Sequence, residues 1–79
     1  MQQYRIFDQA AERRAERRYL LASIGDEREV LILAHDRLRN LVRDLRDEGY
    51  VHAAGFVSAS RAEIMSAIDS LNVAERYLA

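Results

Sequence analysis

The chain has no cysteine, no proline and no tryptophan, and only three glycines among its 79 residues. The absence of cysteine excludes a disulfide scaffold, a thiolate zinc site and a cysteine nucleophile. With no proline and so little glycine, few positions can interrupt a helix, and the residues that dominate instead, Ala, Leu, Arg and Glu, have high helix propensity. The composition therefore predicts an all-α protein.

Lysine is also absent, so all twelve basic residues are arginines, against thirteen acidic residues and a formal net charge of −1. This balance argues against a non-specific nucleic-acid binder and against an acidic tail. A chain of this length forms a single helical domain, residues 1–79. It buries little surface as a monomer, so we expect a homodimer or a protein partner.

Long hydrophobic runs are missing as well. No apolar run approaches the roughly 20 residues of a membrane span, and the polar N-terminus lacks the apolar region of a signal peptide. The sequence therefore predicts a soluble protein without membrane contact, for which the cytoplasm is the default compartment.

The glycines and the capping residues divide the chain into three helical segments. Gly25 and Gly49 follow helical stretches, as C-terminal cap residues do. Asp26 is a candidate N-cap for a second helix, and Ser60 with Glu63 forms a capping box for a third. The sequence thus predicts helices over about 3–23, 26–48 and 60–78, with an apolar connection over 49–59 that is a packed loop or a short hairpin.

The expected architecture follows from the short link near Gly25, because two helices joined by about two residues pack as an antiparallel hairpin. In the second helix, apolar residues alternate steps of three and four like a coiled-coil seam. We therefore predict a long antiparallel helical hairpin plus a third amphipathic helix, a three-helix bundle that dimerises. The third helix either closes the bundle or joins another subunit. The seam residues are Leu31, Ala34, Leu38, Leu41 and Leu45.

No group of residues has the spacing of a catalytic or metal site. The two histidines, His35 and His52, stand in no Glu-x-x-His or His-x-x-x-His pattern. The glycines are separated by whole helices and form no phosphate-binding loop, and no serine is marked as a nucleophile. We expect no enzyme activity, no catalytic residue, no metal and no cofactor.

The strongest candidates for contact residues lie outside the expected core. A tandem repeat, Ala-Glu-Arg-Arg at residues 11–14 and 15–18, places Arg14 and Arg18 in the same arc as apolar residues that include Tyr4 and Phe7. A desolvated guanidinium needs a partner, and arginine is enriched at protein interfaces. The predicted partner-binding residues are Arg14, Arg18, Ile32, Leu33, Tyr50 and Phe56.

The segment Leu41-Val42-Arg43-Asp44-Leu45-Arg46-Asp47-Glu48-Gly49-Tyr50-Val51 resembles the end of a recognition helix entering the wing of a winged-helix DNA-binding domain. That resemblance implies a β-hairpin wing, here turning near Gly55, and a DNA-binding transcriptional regulator. The heptad spacing from Leu31 to Leu45 leaves no room for the separate preceding helix that such domains need.

The favoured function is a small non-catalytic protein–protein interaction module, an adaptor or inhibitor that docks helix faces on a larger partner protein. Small size, near-neutral charge and surplus apolar positions favour it. Many proteins of this description are encoded by phages and other mobile elements, which is a class-level analogy. The winged-helix regulator is the alternative.

Overall fold

The computed structural model describes the backbone of residues 2–79 and the side chains of residues 9–79. Over this range the chain forms two helices, α1 (Gln2–Asp47) and α2 (Val51–Leu78), and no strand. They pack against each other as a hairpin with overall dimensions of 72 × 15 × 13 Å. The all-α prediction is confirmed, whereas the described residues contain no third helix and the molecule is elongated.

The hairpin turns at residues 48–50, where a Schellman motif ends α1. Gly49 has a φ of +85°, its amide donates to the carbonyl of Arg46 (3.0 Å), and the amide of Tyr50 donates to the carbonyl of Leu45 (2.8 Å). Glycine adopts this left-handed conformation without the steric cost of a Cβ atom. The prediction that Gly49 caps a helix is confirmed.

The predicted break near Gly25 is wrong, because α1 runs through Gly25 and Asp26 without interruption. A helical glycine costs about 1 kcal/mol relative to alanine, and an N-cap residue contributes about as much. The seam continues across Gly25 with the same heptad spacing, through Leu21, Ile24 and Leu31. Each of these side chains is partly shielded from solvent. Continuous packing along one face therefore outweighs both local signals.

The predicted connection over 49–59 is also wrong beyond the turn, because α2 begins at Val51 rather than at Ser60. The hydroxyl of Ser60 donates to the carbonyl of Phe56 (3.3 Å), as a serine inside a helix does, and so does not cap a helix start. Gly55 lies within α2. The β-hairpin wing that the winged-helix resemblance implies is consequently replaced by helix in residues 51–59.

The two helices meet along strict heptad seams of alternating three- and four-residue steps. The most shielded positions are Val42 at 3% exposure, Ala54 at 0% and Ile68 at 9%. In α1 the seam differs from the prediction at two positions, because His35 and Val42 take the places of Ala34 and Leu41; Val42 is buried while Leu41 is exposed. The seam residues are Leu21, Ile24, Arg28, Leu31, His35, Leu38, Val42 and Leu45 in α1, and Ala54, Val57, Arg61, Ile64, Ile68, Leu71, Glu75 and Leu78 in α2.

An ion pair across the seam fixes how the helices align. The Arg28 guanidinium donates to a carboxylate oxygen of Glu75 (2.6 Å) and to the amide oxygen of Asn72 (2.9 Å). Both charged side chains are only partly exposed, at 27% for Arg28 and 39% for Glu75. A one-heptad slip of either helix would leave Arg28 without these acceptors, so the pair specifies the register of the hairpin.

We expect Glu75→Leu to lower the free energy of unfolding by about 1 kcal/mol, because it leaves the Arg28 guanidinium with Asn72 alone. The double variant Arg28→Leu/Glu75→Leu should recover at least wild-type stability, since apolar packing replaces a desolvated ion pair. Urea unfolding of the wild type and these two variants measures both effects. A double variant less stable than Glu75→Leu would contradict this account of the pair.

Candidate functional site: exposed faces of the hairpin

The helices differ greatly in length, and this leaves part of α1 without a partner. At about 1.5 Å per residue, the 46 residues of α1 span about 69 Å and the 28 residues of α2 about 42 Å. Residues 9–20 of α1 are all exposed, which places them beyond the end of α2. We call residues 9–20 the projecting segment.

The accessible surface is large for so small a chain. It amounts to 6707 Å², whereas a compact monomer of 9.1 kDa exposes about 4,900 Å². Three hydrophobic residues are buried in the part of the chain that the structure describes, while twelve large hydrophobic side chains there are exposed. Surface of this kind marks interaction sites.

One group of these exposed side chains lies beside the turn, on the first turns of α2. Tyr50, Val51 and Phe56 are exposed, with Phe56 at 79%. The residues 49–60 contain no aspartate, glutamate, lysine or arginine, although these types make up 32% of the chain. A shallow groove here is lined by Val51, His52, Gly55, Phe56 and Ala59. We call these five residues and Tyr50 the tip patch.

The tip patch is unusual because an ordinary surface helix carries charged residues on the side away from its core. In α2, Ala54 and Val57 form the inward side, yet the outward side over the same turns is equally free of charge. A helix that is apolar all round is normally covered, and in residues 51–57 the only polar side chain is that of His52. The glycine and alanine beside Phe56 leave room for an incoming apolar side chain.

The projecting segment, unlike the tip patch, is rich in charged residues. Its tandem repeat puts like charges four residues apart, in the pairs Arg13 with Arg17, Arg14 with Arg18, and Glu12 with Glu16. Such pairs each cost an isolated helix about 0.2–0.5 kcal/mol. Arg14 bonds weakly to the carbonyl of Ala10 (3.4 Å), and within residues 9–79 the four arginines have no carboxylate within 4 Å. The segment therefore presents unneutralised positive charge on one arc.

A third exposed surface runs along the side of α1. Leu20, Ala34 and Leu41 share one heptad position next to the seam, and Val30 lies on the same line; we call these four residues the outer stripe. Leu20, Val30 and Leu41 are exposed, and Ala34 is half-buried. Leu33, at 57% exposure, lies beside the stripe. Glu27 and Arg37 lie on the same line between these residues, so this face of α1 is partly apolar and partly charged.

The six predicted contact residues do not form one site. Tyr50 and Phe56 both belong to the tip patch, whereas Arg14 and Arg18 lie in the projecting segment, tens of ångströms along α1. Leu33 flanks the outer stripe, and Ile32 lies on the opposite side of the seam, at 44% exposure. The side chains of Tyr4 and Phe7, which the sequence places in the same arc as Arg14, lie outside the described residues.

Of the six tip-patch residues the sequence predicts only Tyr50 and Phe56 as contacts, and of the four arginines of the projecting segment it predicts only Arg14 and Arg18. The sequence signal for the patch is the charge-free run over 49–60, but the two glycines in it, Gly49 and Gly55, favour a connection over a helix. The groove also needs Val51 and Ala59, and only a continuous helix brings them together. In the projecting segment, the tandem repeat gives Arg13 and Arg17 the same four-residue spacing as Arg14 and Arg18, so the sequence contains the signal for all four arginines.

The described residues hold no cluster typical of a metal site. In residues 9–79 no three His, Cys, Asp or Glu side chains are grouped so that they could hold a metal ion. Neither helix, over the part of the chain that was searched, combines the length and apolarity needed to cross a membrane. The seam contains one buried polar atom, the Nε of Arg61, that has no partner within the same range.

The fold defines the chain as an antiparallel coiled-coil hairpin with one arm longer than the other. Comparison with protein-family models, with curated proteins and with solved structures found no match to the chain. The exposed faces described above are therefore the features of the molecule that bear on its function.

Proposed function

We propose that the chain is a small non-catalytic protein–protein interaction module, of the adaptor or inhibitor type, that acts in the cytoplasm and docks the tip patch on a larger partner protein. The observation that carries this proposal is the charge-free first part of α2 with Phe56 at 79% exposure. Aromatic side chains beside small residues are typical anchors of protein interfaces. The partner side is expected to be an apolar groove that accepts a helix face.

The proposal also includes the association of two copies of this chain. The hairpin buries only three hydrophobic residues within the described part of the chain, so its own core is small. A second copy or a partner adds apolar burial that the isolated hairpin lacks, at about 25 cal/mol for each Å² removed from water. We propose a homodimer that leaves the tip patch free for the larger partner.

Phe56→Asp tests the tip patch. Phe56 is 79% exposed, so an aspartate there stays in contact with water and the variant should fold, yet it places a charge where an apolar groove should close. We expect at least a tenfold loss of partner affinity, about 1.4 kcal/mol. The matched control is Val73→Asp, which adds the same charge to an exposed apolar position farther along α2.

The measurement compares tagged wild-type, Phe56→Asp and Val73→Asp chains in nuclease-treated lysates of the native host, with bound proteins quantified by mass spectrometry. A stoichiometric protein held by the wild-type and Val73→Asp chains, but not by Phe56→Asp, supports the proposal. Equal retention by all three chains overturns the role of the tip patch. Binding that requires intact nucleic acid and falls steeply with salt favours a DNA-binding regulator instead.

A further inference from the structure

The seam of α1 continues into the projecting segment, where arginines occupy it. Stepping back from Leu21 by four and then three residues reaches Arg17 and Arg14, so the alternating spacing of the seam is unbroken. Arg13 and Arg18 lie directly beside this line, at the two positions where neighbouring helices of a coiled coil form salt bridges. All four arginines therefore occupy positions of α1 that would contact a facing helix.

The charge along this line is positive and has little compensation from the segment itself. The two glutamates of the tandem repeat project more than about 120° away from the line. Arg14, Arg17 and Arg18 neighbour one another, and no acidic residue stands three or four positions from any of them. Of the four arginines, Arg13 alone has such a neighbour, Glu16. The arginines on the seam line consequently need their counter-charge from another helix.

The paired part of the molecule shows how this seam accommodates an arginine. Arg28 has the same heptad position as Arg14, two heptads farther along α1. Its guanidinium donates to the carboxylate of Glu75 (2.6 Å) and to the amide oxygen of Asn72 (2.9 Å), both on the facing helix α2. Charge-assisted hydrogen bonds of this kind are the strong ones. Within residues 9–79, Arg14 and Arg17 have no facing helix to supply such acceptors.

We propose that the projecting segment docks an acidic helix of a partner protein, which packs along the seam line of α1 beyond the end of α2 and places aspartate or glutamate side chains over Arg14 and Arg17. That helix occupies the open groove lined by Gln9, Ala10, Arg13, Arg14 and Arg17. The small side chain of Ala10 allows it to approach closely. This site goes beyond the proposed function, because it lies far from the tip patch and does not depend on it.

Charge and geometry favour a partner's helix over a nucleic acid. The arginines are confined to the side of α1 that faces a neighbouring helix, which is the pattern of a coiled-coil contact. A helix in a duplex groove has phosphates on both sides, so the two glutamates of the repeat would come close to phosphate charge. The chain as a whole also carries a net charge of −1.

A second copy of the chain is the less suitable protein occupant. Two projecting segments that face each other would place arginine over arginine. Asp26, Glu29 and Asp36 recur at helical spacing, but they lie on a different face of α1 from the arginines. Docking on that face would join copies head to tail, a contact that builds open filaments rather than a closed dimer.

Photo-crosslinking identifies the occupant directly. A diazirine amino acid replaces Ala10 on the seam line, and the matched control carries it at Ala15, in the same exposed segment but about 130° away from that line. Both chains are irradiated in lysates of the native host, and the linked species are sequenced by mass spectrometry. We expect position 10, and not position 15, to capture a peptide of another protein whose acidic residues recur at steps of three and four.

Three results of this experiment overturn the proposal. A nucleotide adduct at position 10 would assign the arginines to a nucleic acid. A linked peptide of this chain itself would assign them to a second copy. Equal yields at positions 10 and 15, including no product at either, would mean that no helix packs along the seam line.

Charge reversal measures the contribution of the arginines, with the captured segment as a labelled synthetic peptide in fluorescence anisotropy. Arg14→Glu/Arg17→Glu should lower the affinity at least tenfold, and it replaces like-charge pairs in the helix by opposite-charge pairs, so the segment stays helical. Arg14→Lys/Arg17→Lys keeps the charge but not the guanidinium fork, and its loss should be smaller. Arg39→Glu/Arg43→Glu, with the same change in net charge on exposed positions of α1, should bind like the wild type.

Equal binding by wild type and Arg14→Glu/Arg17→Glu would remove the arginines from the site, and an equal loss in Arg39→Glu/Arg43→Glu would reduce the effect to net charge. The tip patch is tested separately, because Phe56→Asp should bind the acidic peptide like the wild type. A Phe56→Asp chain that no longer binds this peptide would overturn the placement of the site on the projecting segment. Failure of the acidic-helix site leaves the tip-patch experiment unaffected.

Discussion

Ile68→Asp is expected to unfold the hairpin. Ile68 is 9% exposed and lies in the seam of α2, opposite the middle of the paired part of α1. The substitution removes about 2 kcal/mol of apolar burial and adds the cost of a carboxylate with no partner in an apolar seam, several kcal/mol more. A domain of this length has about 4–12 kcal/mol of stability in total, so little or none would remain.

Circular dichroism at 222 nm and a thermal melt measure this loss of helix. Val73→Asp is again the matched control, because Val73 is on the same helix, half exposed, and outside the seam. It should keep wild-type helicity and melt within a few degrees of the wild type. An Ile68→Asp chain with the helicity and melting temperature of the wild type would show that the α1–α2 seam does not hold the molecule together.

The three glycines should respond to alanine with opposite signs, and this is the second large effect. Gly25 and Gly55 are inside helices, and a Cβ atom built at either meets nothing within 4 Å. Alanine should therefore stabilise each position by about 0.5–1 kcal/mol, chiefly by restricting the unfolded chain. The double variant Gly25→Ala/Gly55→Ala should gain about 1–2 kcal/mol.

Gly49→Ala should act in the opposite direction. Its φ of +85° is unfavourable for a residue with a Cβ atom, at a cost of about 1–2 kcal/mol, even though space is available there. Urea unfolding of the three single variants measures the signs. The result at Gly25 is the most informative, because a helix ending there, as the sequence alone indicates, would make Gly25→Ala destabilising. That outcome would refute a continuous α1.

The sequence by itself determined the all-α composition and the turn at Gly49, for physical reasons that are local. Absent proline and scarce glycine leave helix as the preferred state of nearly every residue. Gly49 ends α1 because a Schellman motif needs only a glycine and the carbonyls of the preceding turn. Tyr50 and Phe56 could also be selected as exposed aromatic residues next to that turn.

The tertiary structure decided which of the remaining signals prevailed. Gly25 with Asp26, and Ser60 with Glu63, have the same local chemistry as true helix ends, yet each lies inside a helix. Both are overridden because the seams through Ile24 and Leu31, and through Val57 and Ile64, continue across them. Packing against a second helix contributes free energy along the whole seam, whereas a cap or a glycine contributes about 1 kcal/mol at one position.

The surfaces proposed for function also depend on α1 and α2 being continuous helices. A break at Gly25 would separate Leu20 from Leu41 and remove the outer stripe, and a loop over 49–59 would disperse Val51, Gly55 and Ala59. One continuous α1, longer than α2, is what leaves the projecting segment uncovered. Residue types set which contacts are possible, but the length and continuity of the two helices decide which residues share a surface, since only distant packing fixes where each helix begins and ends.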